Sequence, residues 1–185
     1  MNKSISYTDL QLIDLCLAGQ EIGYSKLYEK YVKQIYNSIA RLVVDDSVAE
    51  ELTQEFFISI FSDVEKLKEI SYLGAWFKRI AINKAISHLR KKKMYFSEID
   101  AVQDELCDEL DDEITLRKEM QVTEIMKCIE QLSTENRTIV NLFLFEELSH
   151  EEIGNMLGIS SSTVRSKYHR AKKKIVESLQ VNYYE

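Results

Sequence analysis

The sequence contains no proline and only five glycines in 185 residues, whereas average proline usage of about 5% would place roughly nine prolines in a chain this long. With so few breakers the expectation is an all-α protein. Cysteine is scarce too: Cys16, Cys107 and Cys128 are scattered and odd in number, without the close pairs or histidine spacings that metal sites use. They read as free thiols of a reducing compartment, with a redox handle at Cys107 as the alternative, and neither metal nor cofactor is expected. Long apolar runs are missing, since charge breaks each one well before the roughly 18 residues of a membrane span, and the N-terminus lacks a basic-then-apolar leader. The chain therefore reads as cytoplasmic. Nor does any nucleophile sit with a base, or any glycine loop offer itself to phosphates, so no enzyme and no small-molecule substrate is expected.

What is present is charge, unevenly spread. The net charge of −7 conceals two basic segments. Trp76 to Lys93 carries seven cations and no acid, and Thr163 to Lys174 carries six and no acid, while Glu98 to Glu113 between them carries nine acids and no base. An acidic run of this density repels itself and reads as an exposed linker. The expected organisation is two small helical domains, 1–93 and 116–185, joined by an acidic linker at 94–115. Hydrophobic residues make up 45% of the chain, enough for one or two small cores.

The segment SHEEIGNMLGISSSTVRSKYHRAKKKI, Ser149 to Ile175, is the most specific. Ser149 with Glu152 three residues on forms a capping box, and Gly158 stands where a helix stops on a left-handed residue. A second helix should follow with Ser161 or Ser162 as cap. Along it Val164, Tyr168, Ala171, Ile175 and Leu179 fall at spacings of four, three, four and four, one buried stripe. Ser162, Arg165, Ser166, His169 and Lys173 lie opposite. Two short helices about a tight turn, the second polar and basic outside, is how a DNA-reading helix-turn-helix is built: first turns for base edges, later cations for phosphates. The plainer alternative is a solvated basic face on a structural helix.

In the first domain, Thr8 or Asp9 caps a helix through Leu17 that Gly19 closes. A long helix carries Tyr24, Leu27, Tyr28, Tyr31, Ile35, Ile39 and Leu42. Asp45, Asp46 and Ser47 cap the next, whose Leu52, Phe56 and Ile60, flanked by Phe57 and Phe61, face inward while Glu50, Glu51, Gln54 and Glu55 stay outside. The last helix starts near Ser71 and runs through Trp76, Phe77, Ile80, Ala81 and Leu89 into RKKK, with packing first and phosphate contact later. Tyr72, Trp76 and Phe77 beside Lys78 and Arg79 could stack on unpaired bases; burial of Trp76 as a domain anchor is the alternative.

Taken together, these segments resemble the short, two-domain sigma factors of bacterial RNA polymerase, the extracytoplasmic-function (ECF) type of the sigma-70 family. LAGQEIGYSKLYEKY is similar to the opening of their promoter-melting domain, and SVAEELTQEFF to the helix that docks on the polymerase clamp. AWFKRIAINKAISHLRKK resembles the helix that engages the −10 promoter element. LSHEEIGNMLGISSSTVRSKYHRAKKKI resembles the second domain, which binds the −35 element. Four segments in the right order are more specific than a helix-turn-helix alone. The chain departs from the family's pattern at Glu51 (often aspartate), Ser87 (commonly aspartate), Gly154 (usually alanine) and Ser162 (usually glycine).

The resemblance implies a specificity subunit that directs RNA polymerase core to promoter DNA and opens it, with polymerase doing the chemistry. By position, Arg165, Ser166, His169 and Arg170 would meet the −35 major groove and Lys172, Lys173 and Lys174 the backbone. Trp76, Lys78, Arg79, Asn83 and Arg90 would serve the −10 element, with the loop from Ser62 to Gly74 holding an unstacked base. Glu50, Glu51 and Gln54 would face the polymerase clamp. Two DNA turns between elements span roughly 70 Å at ~34 Å per turn, and a linker of about 22 residues extends to ~75 Å at ~3.4 Å each. The linker's acidity would suit a channel built for nucleic acid or simply keep the chain soluble. The family also implies an anti-sigma partner, frequently membrane-bound. The competing class is a stand-alone helix-turn-helix regulator that binds an operator as a dimer.

Overall fold

The computed structural model describes residues 7–91 and 122–181. The expected linker at 94–115, with Cys107 inside it, and the cations Lys92 and Lys93 lie outside the described residues. The chain divides into two compact units, Met1–Leu89 and Arg90–Glu185, and among the described residues every regular element is a helix.

In the first unit Thr8 opens α1 (Asp9–Leu17). Its hydroxyl accepts from the Gln11 N–H at 3.3 Å, and the Gln11 side chain accepts from the Thr8 N–H at 2.9 Å, which satisfies two of the donors that a helix start leaves open. Of the two expected caps, Thr8 and not Asp9 serves. Asp9 instead ties α1 to α2 (Glu21–Val43), accepting from the Tyr31 hydroxyl at 2.8 Å and pairing with Lys30 at 2.6 Å. The α2 stripe of Leu27, Tyr31, Ile35, Ile39 and Leu42 is buried as its spacing requires, whereas Tyr24 is half-buried and Tyr28 exposed. Asp45 caps α3 (Asp46–Phe61), its carboxylate accepting from the Ser47 and Val48 N–H groups at 3.0 and 3.2 Å. Leu52, Phe56, Phe57 and Ile60 line the inner face of α3.

The segment read as a loop contains a short 3-10 helix, Val64–Glu69, that buries Val64 and Leu67. α4 (Leu73–Lys91) follows and sinks Phe77, Ala81, Ile82, Ala85, Ile86 and Leu89. Phe77 meets Phe56 of α3 edge to face at 5.4 Å and Tyr31 of α2 at 5.1 Å, so one ring joins three helices. Ile80, expected to pack, is only half-buried.

Between α2 and α3, Val44 sits at φ 67° and ψ −31° and is 44% exposed. A β-branched residue at positive φ is strained, and little packing offsets that strain here. Val44→Gly is expected to stabilise the first unit by about 1 kcal/mol, read as a rise in the denaturant midpoint with an unchanged slope. A lower midpoint would mean that the valine methyls contribute more than the backbone strain costs.

The second unit comprises α5 (Val122–Glu130), α6 (Thr134–Leu144), α7 (His150–Leu157) and α8 (Ser161–Val181). Its core gathers Cys128, Ile129, Leu132, Val140, Ala171, Ile175 and Leu179. Cys16 and Cys128 are both buried free thiols, and burial pushes each above the ordinary thiol range, away from the reactive thiolate. No helix among the described residues is long and apolar enough to cross a membrane.

Candidate nucleic-acid interface

α7, the helix that leads into the turn before α8, is fixed at both ends. Ser149 caps α7: its hydroxyl accepts from the Glu152 N–H at 3.2 Å while the Glu152 carboxylate accepts from the Ser149 N–H at 2.9 Å. Gly158 adopts φ 75° at the far end, and the Gly154 carbonyl accepts from both Gly158 and Ile159. Gly154 must itself be bare, because a methyl group there would stand 2.7 Å from the Ile159 carbonyl oxygen. The departure from alanine at this position thus has a local cause in how closely the turn folds back.

The cap of α8 is one residue earlier than the sequence suggests. The Thr163 N–H donates to the Ser160 hydroxyl at 3.1 Å, and the Val164 N–H to the Ser160 carbonyl. Ser161 and Ser162 are already helical and exposed. In a run of three serines the side-chain chemistry is identical, so only the position of the first helical hydrogen bond selects the cap.

With that start, α8 divides as its spacing demands. Val164, Ala171, Ile175 and Leu179 are buried, and Tyr168 is half-buried against Phe143 at 4.4 Å. Arg165, Ser166, His169, Arg170, Lys173 and Lys174 are exposed on the other side, and Lys172 is half-buried. Arg170 leans along the helix, its Nε donating to the Ser166 carbonyl at 3.4 Å. One cation of the six does not belong to this face. Lys167 is 4% exposed at its side chain and pairs with Glu135 of α6 at 3.0 Å. Lys167 thus turns inward with the apolar stripe, while Arg165, Arg170, Lys173 and Lys174 stay exposed.

α4 presents its set in the same manner. Arg79, Asn83 and Arg90 are exposed, Lys78 is half-buried, and Trp76 is half-buried with its ring 5.8 Å from that of Phe77. Trp76 is thus partly packed and partly accessible, whereas Phe77, expected beside it as a stacking ring, is fully buried and has no face open to a base. Tyr72, just ahead of α4, is 81% exposed. Lys84 is turned back to Glu55 of α3 at 2.7 Å, which withdraws one cation from the basic run.

Glu50, Glu51 and Gln54 are exposed together on the outer side of α3. Ile58, which sequence reasoning passed over, joins them at 69% exposure, one turn beyond Gln54. An apolar side chain four residues after Gln54 and seven after Glu51 was the available signal.

The Sigma-70 region 2 family model matches residues 27–94, and the Sigma-70, region 4 model matches residues 123–175. The RNA polymerase sigma-H factor of Pseudomonas aeruginosa is 31% identical over 182 residues, covering 93% of this chain and 94% of that one. The chain belongs to the ECF-type sigma-70 family. The ECF sigma factor SigW of Bacillus subtilis is 27% identical over 171 residues, covering 87% of this chain and 91% of its own. Among solved structures, the sigma factor RpoE in complex with the anti-sigma factor NepR from Bartonella quintana shares the fold at a TM-score of 0.52 and 21% identity, over 85% of this chain and 97% of that one. The function that follows is that of an alternative RNA polymerase sigma factor. A stand-alone operator-binding regulator has no use for the region 2 unit, and that alternative is not favoured.

Proposed function

We propose that this sigma factor divides promoter recognition between its two units: residues 1–93 dock on core polymerase and open the −10 element, 94–115 tether, and 116–185 read the −35 element. The observation that supports the second assignment best is the division of α8. Arg165, Ser166, His169 and Arg170 stand free of the core near the start of the helix, while Lys167 is held inward by Glu135. On this reading those four side chains meet base edges, and Lys172, Lys173 and Lys174 hold phosphates.

On α4, Trp76, Lys78, Arg79, Asn83 and Arg90 take the −10 strand, with Trp76 and Tyr72 offering rings to unstacked bases. Unstacking costs a few kcal/mol per step, which pocket contacts must offset. Glu50, Glu51 and Gln54, with Ile58 among them, form the polymerase-facing surface of α3. The protein is not a catalyst: core polymerase performs the chemistry. Working with polymerase places it in the cytoplasm, and an anti-sigma protein covering the polymerase-facing surfaces would keep it silent.

The test is transcription from fragmented genomic DNA by sigma-free core polymerase with and without the protein. New discrete starts that share two upstream elements are expected; no new starts and no binding to core would overturn the assignment. Within that assay, Arg165→Ala should cost about 1 to 3 kcal/mol at one position of the −35 element and relax preference there. A uniform loss over all promoter variants would exclude base reading by Arg165. Lys173→Ala should instead weaken every promoter alike and lower the slope of log affinity against log salt by roughly one unit. An unchanged slope would remove its phosphate contact.

A further inference from the structure

His150 is the first residue of α7, and the sequence assigns it nothing. Its imidazole lies flat on Phe143 of α6, ring centres 4.8 Å apart and planes 11° from parallel, and faces Tyr168 of α8 at 5.7 Å. Phe143 and Tyr168 also touch each other at 4.4 Å, so three rings from three helices close one cluster beneath the reading helix. The Nε2 atom of His150 is buried and finds no acceptor among the described residues.

The ionisable groups about this cluster come from every element that meets it. α8 brings Arg165, His169 and the Tyr168 phenol; the connection from α6 carries Glu146 and Glu147; α7 itself carries Glu151 and Glu152. Glu152 is engaged, its carboxylate accepting from both the N–H and the hydroxyl of Ser149. Arg165 and His169 both oppose a positive charge on the His150 ring. Burial opposes it more strongly still, and together these hold the imidazole below the usual histidine range.

We propose that His150 is a positioning residue that makes −35 recognition sensitive to acid: neutral, it seats α7 and α6 against the reading helix; protonated, it has to leave the ring cluster, and the helix loosens. This rests on the −35 reading of α8 given above. The sign follows from linkage. The folded form holds its proton less tightly than the unfolded chain, whose histidines titrate near 6.5. The contribution to stability is therefore full above that value and is lost as pH falls through the lower, folded value. The fraction of protein ready to bind falls with it, and apparent affinity falls by the same fraction.

The chain has three histidines, so their ring resonances can be followed separately by NMR in the full-length protein, without DNA, from pH 8 to 5. The His150 ring is expected to titrate below about 6.5, and a value at or above that would overturn the proposal while leaving the promoter reading untouched. In holoenzyme, lowering the pH from 7.5 to 5.5 should cost the wild type more promoter affinity than it costs His150→Phe, which keeps the ring cluster and leaves His169 in place in both proteins. An equal change in both proteins would overturn it, as would a wild type that loses less affinity in acid than the variant. Failure of Arg165→Ala to alter base preference would count against the −35 reading alone, because the ring titration needs no DNA.

Discussion

Glu135→Ala is expected to destabilise the second unit by about 3 to 5 kcal/mol, because it leaves the Lys167 ammonium buried without its counter-ion. The two groups are 3.0 Å apart, with 4% of the lysine side chain and 20% of the glutamate side chain exposed. Exposed pairs elsewhere in the chain, such as Lys26 with Glu29, carry no comparable penalty, since water replaces the lost partner. Replacing both members together, Glu135→Leu with Lys167→Met, should recover most of the loss, for an apolar pair of similar volume needs no desolvated charge. Circular dichroism in denaturant would measure it, and the double-mutant cycle separates the pair from its surroundings. A single substitution costing under about 1 kcal/mol would show that water reaches Lys167. The consequence for function is specific: −35 binding should fail in Glu135→Ala while docking to core polymerase persists, because the α3 side chains proposed to face polymerase belong to the other unit.

That pair also shows where sequence reasoning stops. The boundary signals of the helix-turn-helix are local, a serine and a glutamate three residues apart and a glycine at the end, and the structure forms them as written. The stripe of α8 follows from helical geometry alone. Lys167, however, lies 32 residues from Glu135, and a lysine in a run of six cations looks like its neighbours until a partner helix is known. The cap at Ser160 was lost for the opposite reason: three adjacent serines offer the same chemistry, and local rules do not rank them.

In the first unit the amphipathic stripes and the Asp45 cap were legible, and so was the outer face of α3. The 3-10 helix was not, because six residues with two buried side chains leave too short a pattern to detect. Val44 was equally silent, since a positive φ is a property of the corner between two packed helices. Family resemblance supplied the roles of Asn83 and of Glu50, Glu51 and Gln54; nothing in their spacing alone distinguishes a docking surface from a solvated one. Ile58 is the exception that spacing did offer, an apolar residue out of place on an acidic face.

Phe77→Ala should cost the first unit about 3 to 5 kcal/mol, the range for deleting a fully buried aromatic ring. The ring is fully buried and bridges Tyr31, Phe56 and Trp76, so no single neighbour can move in to fill the space it leaves. Trp76 is the only tryptophan in the chain and lies beside the deleted ring, and its fluorescence in denaturant reports this unit alone. A loss under about 1.5 kcal/mol would mean that α2, α3 and α4 collapse onto the gap. The functional outcome distinguishes scaffold from contact. Arg79→Ala should leave the denaturation midpoint in place and weaken promoter opening only. Phe77→Ala should weaken opening and polymerase docking together, because the same ring that seats α4, with the side chains proposed to face DNA, also holds α3, whose outer side carries Glu50, Glu51, Gln54 and Ile58. Docking that survives in a destabilised Phe77→Ala protein would show that α3 keeps its surface without α4, and would separate the two activities within one unit.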